Sequence, residues 1–193
     1  MTEHPQHRRF EDLFLPHLDA AYQLARWLVG NPQDAEDLTQ EAYLRAFKFF
    51  VTFNGTSPRA WLLAIVRNTC YTWMKERRRE KLHASFEEEE ARSAEMQSAT
   101  MRERDAVYGS PESIFAREEV AQLLNLAIEK LPLPFREIIV LRELEELSYR
   151  EIAVVLSIPI GTVMSRIARS RRMLGEYLKG MSEESWNGMQ RSV

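Results

Sequence analysis

The segment NTCYTWMKERRRE, residues 68–80, sets two large aromatics and four Lys or Arg side chains within thirteen residues. Aromatics interleaved with bases make a surface that stacks on unpaired nucleobases while holding phosphates. A second basic stretch, residues 157–179, carries five bases against Glu176. It lies within LSYREIAVVLSIPIGTVMSRIARSRRML (147–174), which reads as a short helix, a tight turn and a longer helix. Ser148 with Glu151 three residues on is a capping box that starts the short helix, whose apolar face is Ile152, Ala153 and Leu156. Thr162 is expected to cap the longer helix, with Val163, Ile167, Ser170 and Leu174 inward. Met164, Ser165, Ala168, Arg169, Arg171 and Arg172 then face outward. A short helix followed by one with an exposed basic face is the arrangement that places the second helix in a DNA major groove.

Catalytic chemistry is not indicated. The four histidines, His4, His7, His17 and His83, are dispersed, and there is no Gly-rich phosphate loop, metal-spaced Cys/His set or nucleophile motif. The expectation is therefore no enzyme, no cofactor and no metal. The lone Cys70 has no internal disulfide partner and reads as an inert packed thiol in a reducing compartment.

The elements that hold these residues follow from periodicity and charge. In 193 residues with 45% apolar and 28% charged side chains there is room for one ordinary domain or two small ones. The net charge of -3 hides segregation: residues 58–83 sum to +5, residues 84–119 to -6 and residues 157–179 to +4. Two basic blocks separated by an acidic one suggest two nucleic-acid contacts joined by a segment that avoids nucleic acid. Asn31-Pro32 starts a helix in which Leu38, Ala42, Ala46 and Phe49 should face the core, flanked by Tyr43, Phe47 and Phe50. After the turn cluster 54–58 a further helix runs from about Arg59 to Lys81, with Trp61, Ile65, Thr69 and Trp73 at fourfold spacing. Val120, Leu123, Leu124, Ala127, Ile128 and Leu131 mark another amphipathic helix, ended by Pro132 and Pro134. The fold class expected is all-α: two small helical domains, 1–83 and 112–180, joined by an acidic linker, 84–111, and followed by a tail, 181–193. No apolar run reaches the roughly 18 residues of a membrane span, and the N-terminus lacks a signal peptide's apolar core, so a cytoplasmic protein without membrane insertion is expected.

At this point the residues resemble a known family. LRELEELSYREIAVVLSIPIGTVMSRIARSRRML looks like the C-terminal domain (region 4) of bacterial sigma-70-type factors. DAEDLTQEAYLRAF (34–47) and AWLLAIVRNTCYTW (60–73) look like their core-binding and promoter-melting domain (region 2). Their order, with a short linker where larger sigma factors have another domain, makes the chain similar to the extracytoplasmic-function sigma factors over about residues 10–180. The resemblance implies partners: the RNA polymerase core, through its clamp coiled coil and flap, promoter DNA, and an anti-sigma factor. The acidic linker reads as a solvated tether; the resemblance implies alternatively that it threads the polymerase near the RNA exit path, where Glu87 to Glu90 would mimic RNA.

Asp34, Asp37 and Glu41 recur at i, i+3 and i+7, and this face, with Gln40, would dock the polymerase. Acids in the first turns of a helix also favour its macrodipole without any partner. Asn68 matches the position that captures a base flipped from the minus-ten element. Its amide offers both donors and an acceptor, and Lys75, Arg77, Arg78 and Arg79 supply the phosphate field. Trp61 reads as structural, and Trp73 as either core or base platform. Thr162, Met164, Ser165, Arg166, Arg169, Arg171 and Arg172 would meet the minus-thirty-five element, with Ser165 and Arg169 toward base edges. Met164 departs from the basic residue common in that slot, which puts promoter preference in doubt. The rival within DNA binding is an autonomous helix-turn-helix regulator, which needs neither the acidic motif nor the 68–80 segment.

Overall fold

The computed structural model describes residues 5–55, 57–84 and 111–190, so the linker glutamates Glu87 to Glu90 lie outside the described residues. The described residues form helices with no strand among them. In the N-terminal half these are α1 (Pro5–Phe14), α2 (Leu18–Val29), α3 (Pro32–Phe49) and α4 (Pro58–Ala84). The C-terminal half holds α5 (Pro111–Glu129), α6 (Leu133–Ile139), α7 (Tyr149–Leu156) and α8 (Ile160–Gln190), and a π-helical turn, Val140–Leu144, follows α6. The backbone of α8 thus runs on into the stretch expected to be a tail.

Local chemistry sets the helix ends. Gly30, at φ 81°, takes the left-handed conformation that closes α2, where any side chain would be strained. Asn31 then accepts from the amides of Gln33 at 2.8 Å and Asp34 at 3.2 Å, with Pro32 at the first helical position of α3. The Ser57 hydroxyl accepts from the Ala60 amide at 3.3 Å and starts α4. At α7 both halves of the capping box form: the Glu151 amide donates to the Ser148 hydroxyl at 3.2 Å, and the Ser148 amide donates to the Glu151 carboxylate at 2.9 Å. Bonds from the backbone and then the side chain of Ser148 hold the Glu151 carboxyl below its ordinary pKa. Ser157 closes α7 in the left-handed region, φ 54°. The turn after it is tighter than expected, and α8 begins at Ile160. Thr162 therefore lies inside the helix, its amide donating to the Pro159 carbonyl at 2.9 Å, and does not cap it.

The N-terminal helices close around Leu24, Ala42, Leu62 and Val66, all fully buried, with an edge-to-face aromatic cluster at one end. Phe14 is its centre, with ring centroids 5.9 Å from Phe50, 5.5 Å from Phe53 and 5.2 Å from Trp61, which gives Trp61 a structural role. One expected face shifts at its end. Phe49 is 51% exposed and Phe50 is buried, because α3 tightens into a 3₁₀ turn at Phe50–Thr52 and the seam runs Ala42, Ala46, Phe50. In α4 the buried row is Leu62, Leu63, Val66, Thr69 and Cys70, so Trp61, Ile65 and Trp73 flank the seam.

Cys70 is fully buried, and burial pushes its thiol up to about 12. A disulfide-exchange reagent at pH 8 should leave the native protein unmodified and titrate one thiol after denaturation. Rapid modification of the native chain would contradict this packing.

The two halves share one continuous core and a polar seam. Within it Arg67 of α4 grips Glu137 of α6 through two bonds, Nε at 2.8 Å and Nη2 at 3.2 Å, and the Tyr71 hydroxyl donates to the same carboxylate at 2.8 Å. Arg59 bonds Glu145, the Ser57 hydroxyl donates to Glu151 at 2.9 Å, and Arg136 reaches the Trp27 carbonyl at 3.3 Å. Burial, and then Glu137, pushes the Tyr71 phenol up to about 12, so it remains a donor at neutral pH.

Candidate nucleic-acid and polymerase interface

Three exposed stripes emerge. On α3, Asp37, Gln40 and Glu41 are exposed and lie on one face, set apart from the buried Leu38 and Ala42. Among the described residues Glu41 pairs with Arg45, one turn away on the surface. Asp34 is positioned differently: it is half-buried and accepts from Arg77 of α4 at 3.1 Å, so this acid braces two helices. The stripe continues into Leu44, 72% exposed, at the edge of a groove of about 480 Å³ lined by Phe10, Leu15, Tyr43, Leu44 and Phe47. Sequence reading missed Leu44 and the groove. The available signal was spacing, since Leu44 follows Asp37, Gln40 and Glu41 at +7, +4 and +3.

On α4, Asn68, Thr72, Lys75 and Arg79 are all exposed, and their spacing of i, i+4, i+7 and i+11 puts them in one row. Thr72 spends its hydroxyl on the Asn68 carbonyl at 2.9 Å, whereas the Asn68 side chain faces solvent. Arg78 is exposed beside this row. Trp73 and Arg77 stand on the opposite side of the helix, where the guanidinium sits 4.8 Å from the indole centroid and pairs with Asp34. The structure therefore separates the expected minus-ten set into a solvent-facing row around Asn68 and a Trp73–Arg77–Asp34 stack against α3.

On α8, Val163, Ile167 and Ser170 are buried as expected, and Met164, Ser165, Ala168, Arg169, Arg171 and Arg172 are exposed. Ser165, Arg169 and Arg172 align at i, i+4 and i+7. Arg169 packs over Phe135, 5.5 Å from the ring centroid, which restrains its fork without consuming its donors. Arg171 is taken by Glu143, at 3.0 and 2.7 Å, and Arg166 lies 3.8 Å from Glu137. These two are less available to phosphates than Arg169 and Arg172. Among the described residues no group of His, Cys, Asp or Glu is arranged to hold a metal ion, and no single helix is long and apolar enough to cross a membrane.

Comparison with known proteins assigns these stripes to a family. Residues 13–80 match Sigma-70 region 2, and residues 118–174 match Sigma-70, region 4. An RNA polymerase sigma-H factor of Pseudomonas aeruginosa is 32% identical over 179 residues, 92% of this chain and 90% of that protein. The ECF RNA polymerase sigma-E factor of Escherichia coli K12 is 35% identical over 142 residues, 73% of this chain and 72% of that one. The chain belongs to the sigma-70 family, in its extracytoplasmic-function group. A Mycolicibacterium smegmatis relative, ECF RNA polymerase sigma factor SigE, is 34% identical over 176 residues, and the chain spans 64% of its length. Among solved structures, the sigma factor RpoE in complex with the anti-sigma factor NepR from Bartonella quintana is similar at TM-score 0.68 and 29% identity, over 89% of this chain and 98% of that one. A complex of CnrH with the cytosolic domain of CnrY matches at TM-score 0.58 and 23% identity, a likeness of fold. The acidic α3 stripe and the Asn68 row thus lie in region 2, and α7 with α8 in region 4.

Proposed function

We propose that this chain acts as an ECF sigma factor that docks on core RNA polymerase through α3 and directs initiation by reading two promoter elements. The observation that carries this reading is the pairing of two unlike exposed surfaces on neighbouring helices of region 2: acids on α3, and an amide among cations on α4. An autonomous regulator needs neither. Asp37, Gln40 and Glu41 dock the polymerase clamp, with Leu44 as an apolar extension. Asn68 captures an unpaired base, with Lys75, Arg78 and Arg79 holding phosphates. Ser165 and Arg169 read base edges of the upstream element, and Arg172 holds its backbone. The role is non-enzymatic and cytoplasmic, and an anti-sigma factor fits the same exposed faces. Run-off transcription with purified core polymerase on a promoter library tests this. Core-dependent transcripts from a defined promoter class are expected, and no initiation would refute it.

Met164 sets part of the preference. It is 54% exposed on the first turns of α8, between Ile160 and Ala168, and its thioether suits the thymine methyl group better than a guanine edge. Met164→Arg should move the preferred upstream element toward guanine at one position by about 1–3 kcal/mol, roughly 5- to 150-fold. An identical preference profile from the library would show that this side chain does not enter the groove.

A further inference from the structure

We propose that Phe135 is a positioning residue for promoter reading: its ring holds the Arg169 guanidinium ready for a guanine edge of the upstream element and leaves the donors of that side chain free. The inference rests on the upstream-element reading proposed above and names a residue outside the helix that reads. Among the described residues four arginines lie over aromatic rings: Arg67 over Tyr71 at 4.3 Å, Arg77 over Trp73 at 4.8 Å, Arg142 over Tyr149 at 5.1 Å and Arg169 over Phe135 at 5.5 Å. The first three also spend donors inside the protein, on Glu137, Asp34 and the Leu147 carbonyl. Arg169 makes no hydrogen bond or ion pair among the described residues. The other arginines of α8 differ again: Arg171 bonds Glu143, Arg166 stands 3.8 Å from Glu137, and Arg172 has neither carboxylate nor ring among the described residues. A ring attracts a cation through its quadrupole and asks for no N–H bond in return. Arg169 is therefore restrained with its fork unspent.

The ring's own place is fixed by the chain around it. Pro132 and Pro134 set the entry to α6, and the Phe135 amide donates to the Pro132 carbonyl at 2.8 Å. Beside it Arg136 donates to the Leu131 carbonyl at 3.2 Å and to that of Glu129, which ties the first turn of α6 to the end of α5. Phe135 is half-buried against the core, and α6 packs along α8. Packing alone would be served by an aliphatic side chain, as at Leu133 and Ile138 of the same helix. What an aliphatic residue lacks is a face that attracts a cation. Arg169 stands one turn beyond Ser165 on the exposed side of α8. Ordering an arginine before DNA arrives removes part of the cost of ordering it on binding. A guanidinium bonds guanine O6 and N7 together only when the fork is aligned with both, so Phe135 contributes orientation rather than charge. The gain falls on the one base pair that Arg169 reads.

The test is run-off transcription by core polymerase with the full chain on a library randomised across the upstream element. Arg169→Ala should abolish a guanine preference at one position. Phe135→Leu should weaken the preference at that same position by about two- to fivefold, the loss expected of one exposed cation–ring contact, and should add nothing when combined with Arg169→Ala. Phe135→Tyr keeps the aromatic face and should keep the preference. Four results overturn the inference: no guanine preference that depends on Arg169, a preference unmoved by Phe135→Leu, a loss spread evenly over all positions, or an equal loss in Phe135→Leu and Phe135→Tyr. If Phe135→Leu loses helix content by circular dichroism, proton NMR of the unmodified free chain decides. The δ-methylene protons of Arg169 should be shielded by the ring relative to those of Arg172, and unshielded protons overturn the inference. No initiation by the unmodified chain would refute the sigma reading and the inference with it, whereas initiation with a preference unmoved by Phe135→Leu refutes the inference alone.

Discussion

Reversing the charges of Asp37 and Glu41 together to lysine should weaken binding to core polymerase by about 100-fold or more, since like charges placed against a complementary surface cost several kcal/mol. The fold should tolerate the change. Both side chains are exposed, and among the described residues the bond lost is the surface pair of Glu41 with Arg45, a type worth about 0.3–0.5 kcal/mol. Asp34→Lys is a poorer probe, because it also breaks the brace to Arg77 and so disturbs the α3–α4 packing. Titration of labelled core polymerase with the double variant, alongside far-UV circular dichroism, separates the two effects. Unchanged affinity would mean that these acids serve only the helix macrodipole.

Asn68→Ala should leave core binding intact and reduce formation of stable open complexes by about 10- to 100-fold, as expected for losing a hydrogen-bonded base contact worth about 1–3 kcal/mol. The side chain is exposed in an otherwise buried stretch of α4, next to Thr69 and Cys70, so its removal leaves no cavity. Capture of a flipped base offsets an unstacking cost of a few kcal/mol. The defect should therefore shrink on a template whose minus-ten region is already mismatched. Permanganate footprinting on duplex and pre-opened templates measures this. Equal loss on both would place Asn68 in phosphate or duplex contacts instead.

Much of this architecture is legible in the chain because it is local. Asn31-Pro32 and the Ser148/Glu151 box announce helix starts through their own side chains, and the structure forms both caps. The buried row of α8 follows from periodicity, and the acidic and basic stripes lie where a helical count puts them. Local chemistry fails where a partner decides. Phe49 and Phe50 are equally apolar, and only the 3₁₀ turn after α3 determines which enters the core. Trp73 and Arg77 look like part of the basic row, yet Asp34, more than forty residues away in the chain, holds Arg77 on the other face. Glu137 is the clearest case. Within PFREIIVLREL it reads as one more surface acid, and nothing in periodicity tells that Arg67 and Tyr71 bury it. A helix pattern specifies a face, while the identity of what meets that face comes from the tertiary fold.

On the proposed reading, charge segregation makes the chain's DNA contacts conditional on docking. Arg77, Arg166 and Arg171 each have a carboxylate of the chain within ion-pair distance, so part of the positive charge of the basic blocks is already balanced inside the protein. An arginine that must give up such a pair to reach a phosphate contributes less to the salt-dependent affinity. Docking on the polymerase would then raise the effective concentration of each proposed reader at its own element. The direct measurement is promoter affinity of the full chain with and without core polymerase, at one fixed salt concentration, on DNA carrying both elements. Tight, sequence-selective binding is predicted only with core polymerase present; equally tight selective binding by the free chain would contradict it.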